Sequence, residues 1–158
     1  MSDSAKRAHP LITAKAIADM PEKHFVHPLN ANAVRHQRSL GDAIGMTTIG
    51  IHLVRVAPGG ESTEFHFHQQ DEEWLYILSG RGTAEIGNEC FEVGPGDFMG
   101  FVTGSAPHMM RNPHAEELVY LMGGARCPID ICDYPRLGKR RYRVNGVSEF
   151  VDLDKLVK

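Results

Sequence analysis

From position 46 onward, short apolar runs alternate with breaks rich in glycine, proline and asparagine. The runs lie at 47–56, 65–68, 73–78, 83–86, 90–93, 98–102, 109–111 and 118–122. Between them stand Pro58-Gly59-Gly60, Ser79-Gly80, Gly87-Asn88, Gly94-Pro95-Gly96-Asp97, Gly104-Ser105 and Asn112-Pro113. The runs are rich in β-branched and aromatic residues, which fit a pleated surface, and the breaks supply turn chemistry. Strands arriving roughly every eight to twelve residues with such turns predict an all-β fold, a jelly-roll-like barrel.

The flanks lack that rhythm. Residues 1–44 predict an N-terminal arm with a short helix over 13–19, stopped by Met20-Pro21, and a turn at His27-Pro28. The barrel core is assigned to 45–125, and 126–158 form a C-terminal extension packing on it. That extension carries the basic cluster Lys139-Arg140-Arg141-Tyr142-Arg143 and a mildly amphipathic end at 151–157. The cluster reads as a solvated strand edge in preference to a nucleic-acid patch, because the formal net charge is -3.

Composition narrows the partners. A chain of 158 residues suits one domain burying about two-thirds of the surface its unfolded form exposes, so an interior pocket is feasible. The charge gives no electrostatic case for nucleic acid or an anionic membrane, which leaves a small molecule as the expected ligand. No run is long and apolar enough to span a bilayer, and residues 1–10 carry basic side chains without a signal-like apolar stretch; a cytoplasmic location is expected. Cys90, Cys127 and Cys132 are odd in number and lack paired-motif spacing, which fits reduced thiols, with a Cys127–Cys132 bridge as the minor alternative.

Candidate chemistry centres on Glu64-Phe65-His66-Phe67-His68. In a strand, His66 and His68 share one face while Phe65 and Phe67 take the other. Gln69-Gln70-Asp71 reads as a turn, and Glu73 stands at the re-entry of the next strand. Strand parity with Leu75 and Ile77 favours Glu73 over Glu72, leaving Asp71 and Glu72 as turn or rim charges. His108 completes a set of imidazoles and one carboxylate, which suits iron, manganese, nickel, copper or zinc better than calcium. Among possible pocket residues, Met110 shares the His108 face, although a core methionine is the favoured role. His52, mid-strand, faces either the barrel or a satisfied core position. Asn112 is read as structural, and the remaining histidines, His9, His24, His27, His36 and His114, as surface or turn residues.

These residues resemble the cupin superfamily. Its first motif, glycine, five residues, His-x-His, three or four residues, glutamate, six residues, glycine, is matched by Gly60, His66, His68, Glu73 and Gly80. The second is matched by Gly96, Gly104, His108 and Asn112 with two departures: Val102 occupies the proline position, and Pro107 is an extra residue before His108. Gly94-Pro95-Gly96-Asp97-Phe98 and Asp133-Tyr134-Pro135-Arg136-Leu137-Gly138-Lys139 are similar to small single-domain bacterial cupins without an assigned reaction. The resemblance implies a double-stranded β-helix holding one divalent transition metal on His66, His68, Glu73 and His108. It also makes Tyr134 and Arg136 pocket candidates and a homodimer the expected assembly.

The function expected is metal-centred catalysis on a small organic molecule, by a dioxygenase, an isomerase or a similar enzyme. The alternatives are a non-catalytic sensor or storage barrel, or an interaction unit with an empty site. No second acid–base pair, nucleophile elbow or Gly-rich phosphate loop is evident, so catalysis would run through the metal.

Overall fold

The structure, a computed structural model, describes residues 9–157; the expectation for the basic N-terminus falls mostly outside the described residues. Each of the eight apolar runs forms a strand. These are β3 (Ile49–Val56), β4 (Phe67–His68), β5 (Glu73–Ser79), β6 (Gly82–Ile86), β7 (Glu89–Val93), β8 (Phe98–Phe101), β9 (His108–Arg111) and β10 (Leu118–Ala125). The flanks add β1 (Lys23–His27) and β2 (Asn30–Ser39), then β11 (Ile129–Tyr134), β12 (Lys139–Val144) and β13 (Val147–Asp152).

Three sheets wrap into a jelly-roll, a double-stranded β-helix. One has the order β1-β2-β3-β10-β5-β8, the second β13-β12-β11-β4, and the third β7-β6-β9. Alternation along the strands points Val54, Val56, Leu75, Ile77, Leu118 and Tyr120 into a common core. Gly80 makes the β5–β6 turn with φ of +75°, and a Cβ there would lie 2.1 Å from the Glu117 carbonyl oxygen.

The helix at 13–19 is present as α1 (Ala14–Asp19), with the Thr13 hydroxyl accepting from Ala16 N–H. The turn after His27 is present too, but it joins two strands that extend the main sheet through the β2–β3 pairing. The expected arm therefore contributes structure to the barrel. The basic cluster requires a correction. It forms β12, flanked on both sides by β11 and β13, and its arginines are half-buried in ion pairs instead of lining a solvated edge. Asp71, expected at a turn or rim, is likewise buried beneath Arg143 at 2.5 Å.

Candidate metal centre

Backbone pairing brings the histidines together. His66 N–H donates to the His108 carbonyl at 3.2 Å, and His108 N–H returns the bond to the His66 carbonyl at 2.8 Å. His68 follows two residues later in β4, and Glu73 opens β5. The extra Pro107 is absorbed before β9. Gly104, at φ +69°, donates to the His68 carbonyl, and the Pro107 carbonyl accepts from Gly87 N–H. The departure from the second motif thus changes the loop and leaves the His66–His108 pairing intact.

The three Nε2 atoms converge on one oxygen. Glu73 Oε2 lies 3.5 Å from His66 Nε2, 3.8 Å from His68 Nε2 and 3.3 Å from His108 Nε2. Each opposite ring nitrogen already faces an acceptor: His66 Nδ1 the Glu64 carbonyl at 2.8 Å, His68 Nδ1 the Asp130 carboxylate at 2.7 Å, and His108 Nδ1 the Ala106 carbonyl at 3.2 Å. Nδ1 is therefore assigned the proton in each neutral ring, and Nε2 presents a lone pair. Three lone pairs and a carboxylate oxygen repel one another unless a cation or proton lies between them. Bonds of about 2.1 Å to a first-row metal would separate neighbouring donors by about 3.0 Å in octahedral and about 3.4 Å in tetrahedral geometry. The 3.3 and 3.5 Å separations from His108 and His66 lie near these values and the 3.8 Å from His68 is longer, while the donor chemistry suits a transition metal.

Charge shifts follow from burial and these contacts. Burial alone would raise the Glu73 carboxyl, yet the adjoining His108, His66 and His68 rings hold it well below its ordinary value. Burial lowers His66, against the opposing pull of Glu73. Both shifts favour the neutral imidazole and ionised carboxylate that metal binding requires. Around the donors, Phe101 stacks on His108 with ring centroids 3.4 Å apart. Asp130, fully buried, accepts from His68, from Asp71 N–H at 3.2 Å and from Arg141 at 3.2 Å.

Two cavities reach this cluster. The larger, about 350 Å³, is bounded by His66, His68 and Glu73 together with His27, Arg35, Cys132, Tyr134 and Arg141. The smaller, about 180 Å³, is bounded by His68 and Glu73 with His52, Glu72, Gly123 and Arg126. Of the pocket candidates, Tyr134 lines the larger and His52 the smaller. Met110 packs in the hydrophobic core and borders neither. Arg136 lies over the Phe65 ring and pairs with Glu85.

His27, Arg35 and Cys132 were not singled out as site residues in the sequence. His27 is buried, contrary to its expected surface or turn role. Cys132 pairs in register with His68 and forms a possible donor cluster with His66 and His68. All three cysteines are free, and burial pushes the Cys132 thiol up to about 12. Asn112 is structural as expected, its amide donating to the Val56 and Glu116 carbonyls.

Residues 52–124 match the family described as Cupin domain. Among solved structures, the chain is similar to a protein of Acidithiobacillus ferrooxidans described as "Putative sugar phosphate isomerase". Identity is 45%, coverage is 94% of this chain and 95% of the other, and the TM-score is 0.91. A Silicibacter pomeroyi protein described as a sugar phosphate isomerase from a cupin superfamily shares the fold at 24% identity, covering 92% and 94% of the two chains with a TM-score of 0.81. An uncharacterized protein of Methanocaldococcus jannaschii is 35% identical over 80 residues, 51% of this chain. The match spans about half, 56%, of that curated relative's length.

Proposed function

From the premise that the chain belongs to the cupin superfamily, we propose a metal-dependent enzyme in which His66, His68, Glu73 and His108 hold one divalent transition metal beside a cavity for a small organic molecule. The observation carrying this reading is the convergence of three Nε2 lone pairs on one Glu73 oxygen. Bound there, such an ion supplies Lewis acidity toward a carbonyl or alkoxide oxygen. Similarity to the Acidithiobacillus ferrooxidans protein over nearly the whole chain favours isomerisation of a hydroxy-carbonyl compound among the expected reactions.

The chain's own groups then orient the ligand. His27 Nδ1 accepts from Leu29 N–H at 3.2 Å, so the neutral ring carries its proton on Nε2 as a donor. Burial raises the Tyr134 phenol and keeps it protonated, a second donor at the same cavity. Phe25 and Phe150 supply apolar wall. The reading includes a cytoplasmic homodimer built from the arm, core and extension expected from the sequence.

A binding role without turnover is the second reading. It is favoured by the commitment of the nearby carboxylates: Asp71 is held by Arg143 and Asp130 by His68 and Arg141, which leaves no free carboxylate base beside Glu73 among the described residues lining the larger cavity.

Elemental analysis of the purified protein tests the centre. About one transition metal per chain is expected, falling below about a tenth in His66→Ala and His108→Ala. Unchanged metal content in both variants removes the centre. Aldose–ketose interconversion followed by NMR over a panel of hydroxy-carbonyl compounds then separates the readings. A compound that raises the melting temperature and stays chemically unchanged favours binding alone.

A further inference from the structure

The charges around the larger cavity do not balance once the donor cluster is filled. Three guanidinium groups reach it, from Arg35, Arg141 and Arg143. Arg143 is taken by Asp71 at 2.5 Å, and Arg141 shares Asp130 with His68. Arg35 has no acidic partner among the described residues. Its Nη1 lies 3.4 Å from Met122 Sδ, its guanidinium covers the Phe25 ring at 4.7 Å, and its buried Nε meets no acceptor. The buried Nε of Arg141 is also without one.

Glu73 is the remaining carboxylate of the cavity wall, and it is the oxygen on which the imidazoles converge. A divalent ion uses that charge and leaves one positive charge over; Arg35 adds a second. Buried charge without a counterion is costly, so a ligand bringing two negative charges is favoured over a neutral one. A phosphate monoester carries about 1.5 to 2 negative charges at neutral pH and three acceptor oxygens. A single carboxylate would leave one positive charge uncompensated. The volume of about 350 Å³ lies at the small end of ligand pockets and admits a compact phosphorylated molecule.

We propose that Arg35, with Arg141 on the same cavity wall, forms an anion subsite facing the donor cluster, and that the group it takes is a phosphate monoester. The dianion argument rests on the metal-centre reading above, while the unpartnered Arg35 does not. Planar guanidinium donors suit the tetrahedral oxygens, and His27 and Tyr134 on the same wall can donate to the rest of the ligand.

Calorimetric titration of the zinc-loaded full chain with inorganic phosphate and with acetate tests the subsite. Phosphate is expected to bind at least about tenfold more tightly than acetate. Arg35→Gln should lose about tenfold or more in phosphate affinity while zinc content and melting temperature hold, and Arg35→Lys should lose less. Equal phosphate affinity in Arg35→Gln and wild type, no phosphate binding at all, or acetate binding as tightly as phosphate overturns the proposal. Zinc content of the same samples separates the two readings. A wild-type chain that takes up no zinc counts against the metal centre, whereas Arg35-dependent phosphate binding by that chain still supports the subsite.

Discussion

Removing the Asp130 carboxylate tests whether the chain orients its imidazoles for a metal. Oδ2 accepts from His68 Nδ1 at 2.7 Å and from Arg141 at 3.2 Å, and Oδ1 accepts from Asp71 N–H at 3.2 Å. Asp130→Asn places an NH2 group where one oxygen stood. The less costly orientation turns it toward Asp71 and keeps an acceptor on His68, so the loss is mainly that of charge. Asp130→Ala removes the acceptor altogether; His68 can then move its proton to Nε2, where it blocks ligation. Loss of such a partner typically weakens metal binding by about 10- to 100-fold, or about 1.4 to 2.7 kcal/mol, with Asn near the lower bound and Ala near the upper. Both variants also strip a counterion from Arg141, whose side chain is 22% exposed, at a stability cost on the order of 1–3 kcal/mol. Competition against a chromophoric chelator at pH 7.5 reads the affinity, and urea denaturation of the metal-free protein reads the stability. Asp133→Asn is the control. On the same strand as Asp130, it disturbs an ion pair with Arg140 and a bond from Gln69 but touches none of the donor histidines, so it should cost stability and spare the metal. Asp130→Ala within twofold of wild type, or Asp133→Asn weakening the metal equally, refutes the reasoning.

Two further predictions concern groups in the larger cavity. Burial, with the charges of His66, Arg35 and Arg141, lowers His27 from about 6.5 to about 4, so the unfolded chain takes up its proton first as pH falls. The metal-free protein therefore has this contribution intact above about pH 6.5 and loses about 3 kcal/mol as pH falls through about 4. Unfolding free energies from urea denaturation at pH 7.5 and 4.5 should diverge about 2–3 kcal/mol less in His27→Leu, and an unchanged divergence refutes the assignment. Cys132→Ser should retain about one metal per chain, because the quartet needs no thiol; loss of the metal would move the centre to His66, His68 and Cys132.

What could be read in the sequence was local. The eight strands between residues 46 and 125 followed from apolar runs and glycine or proline breaks, both properties of adjacent residues. The four donor candidates followed from motif spacing; the fold sets donor atoms of His66, Glu73 and His108 within 4.8 Å of one another and places His68 Nε2 3.8 Å from Glu73. The hairpin of β1 and β2 was missed because its outer strand is mostly exposed and carries His24 and His27 among few apolar residues, which weakens the alternation. Met110, on one strand face with His108, packs into the core, the role favoured for it in the sequence.

The extension carried a signal that a local reading of charge discarded. Asp130 and Asp133 on one side of Leu137-Gly138 mirror Arg143 and Arg140 on the other, and β11 and β12 pair those residues in register. Opposite charges at facing positions of a hairpin support its register, so the spacing was itself a pairing code. A run of arginines was read as solvated because its counterions lie 7 to 72 residues away in the chain, at Asp133, Asp130 and Asp71. Once β11 also pairs with β4, those pairs are carried next to His68. The same hairpin then supplies the Asp130 acceptor that orients an imidazole, the Arg141 guanidinium that borders the ligand cavity, and the Cys132 and Tyr134 side chains of its wall. Charge complementarity within the extension thus links a fold-level pairing rule to the composition of the site.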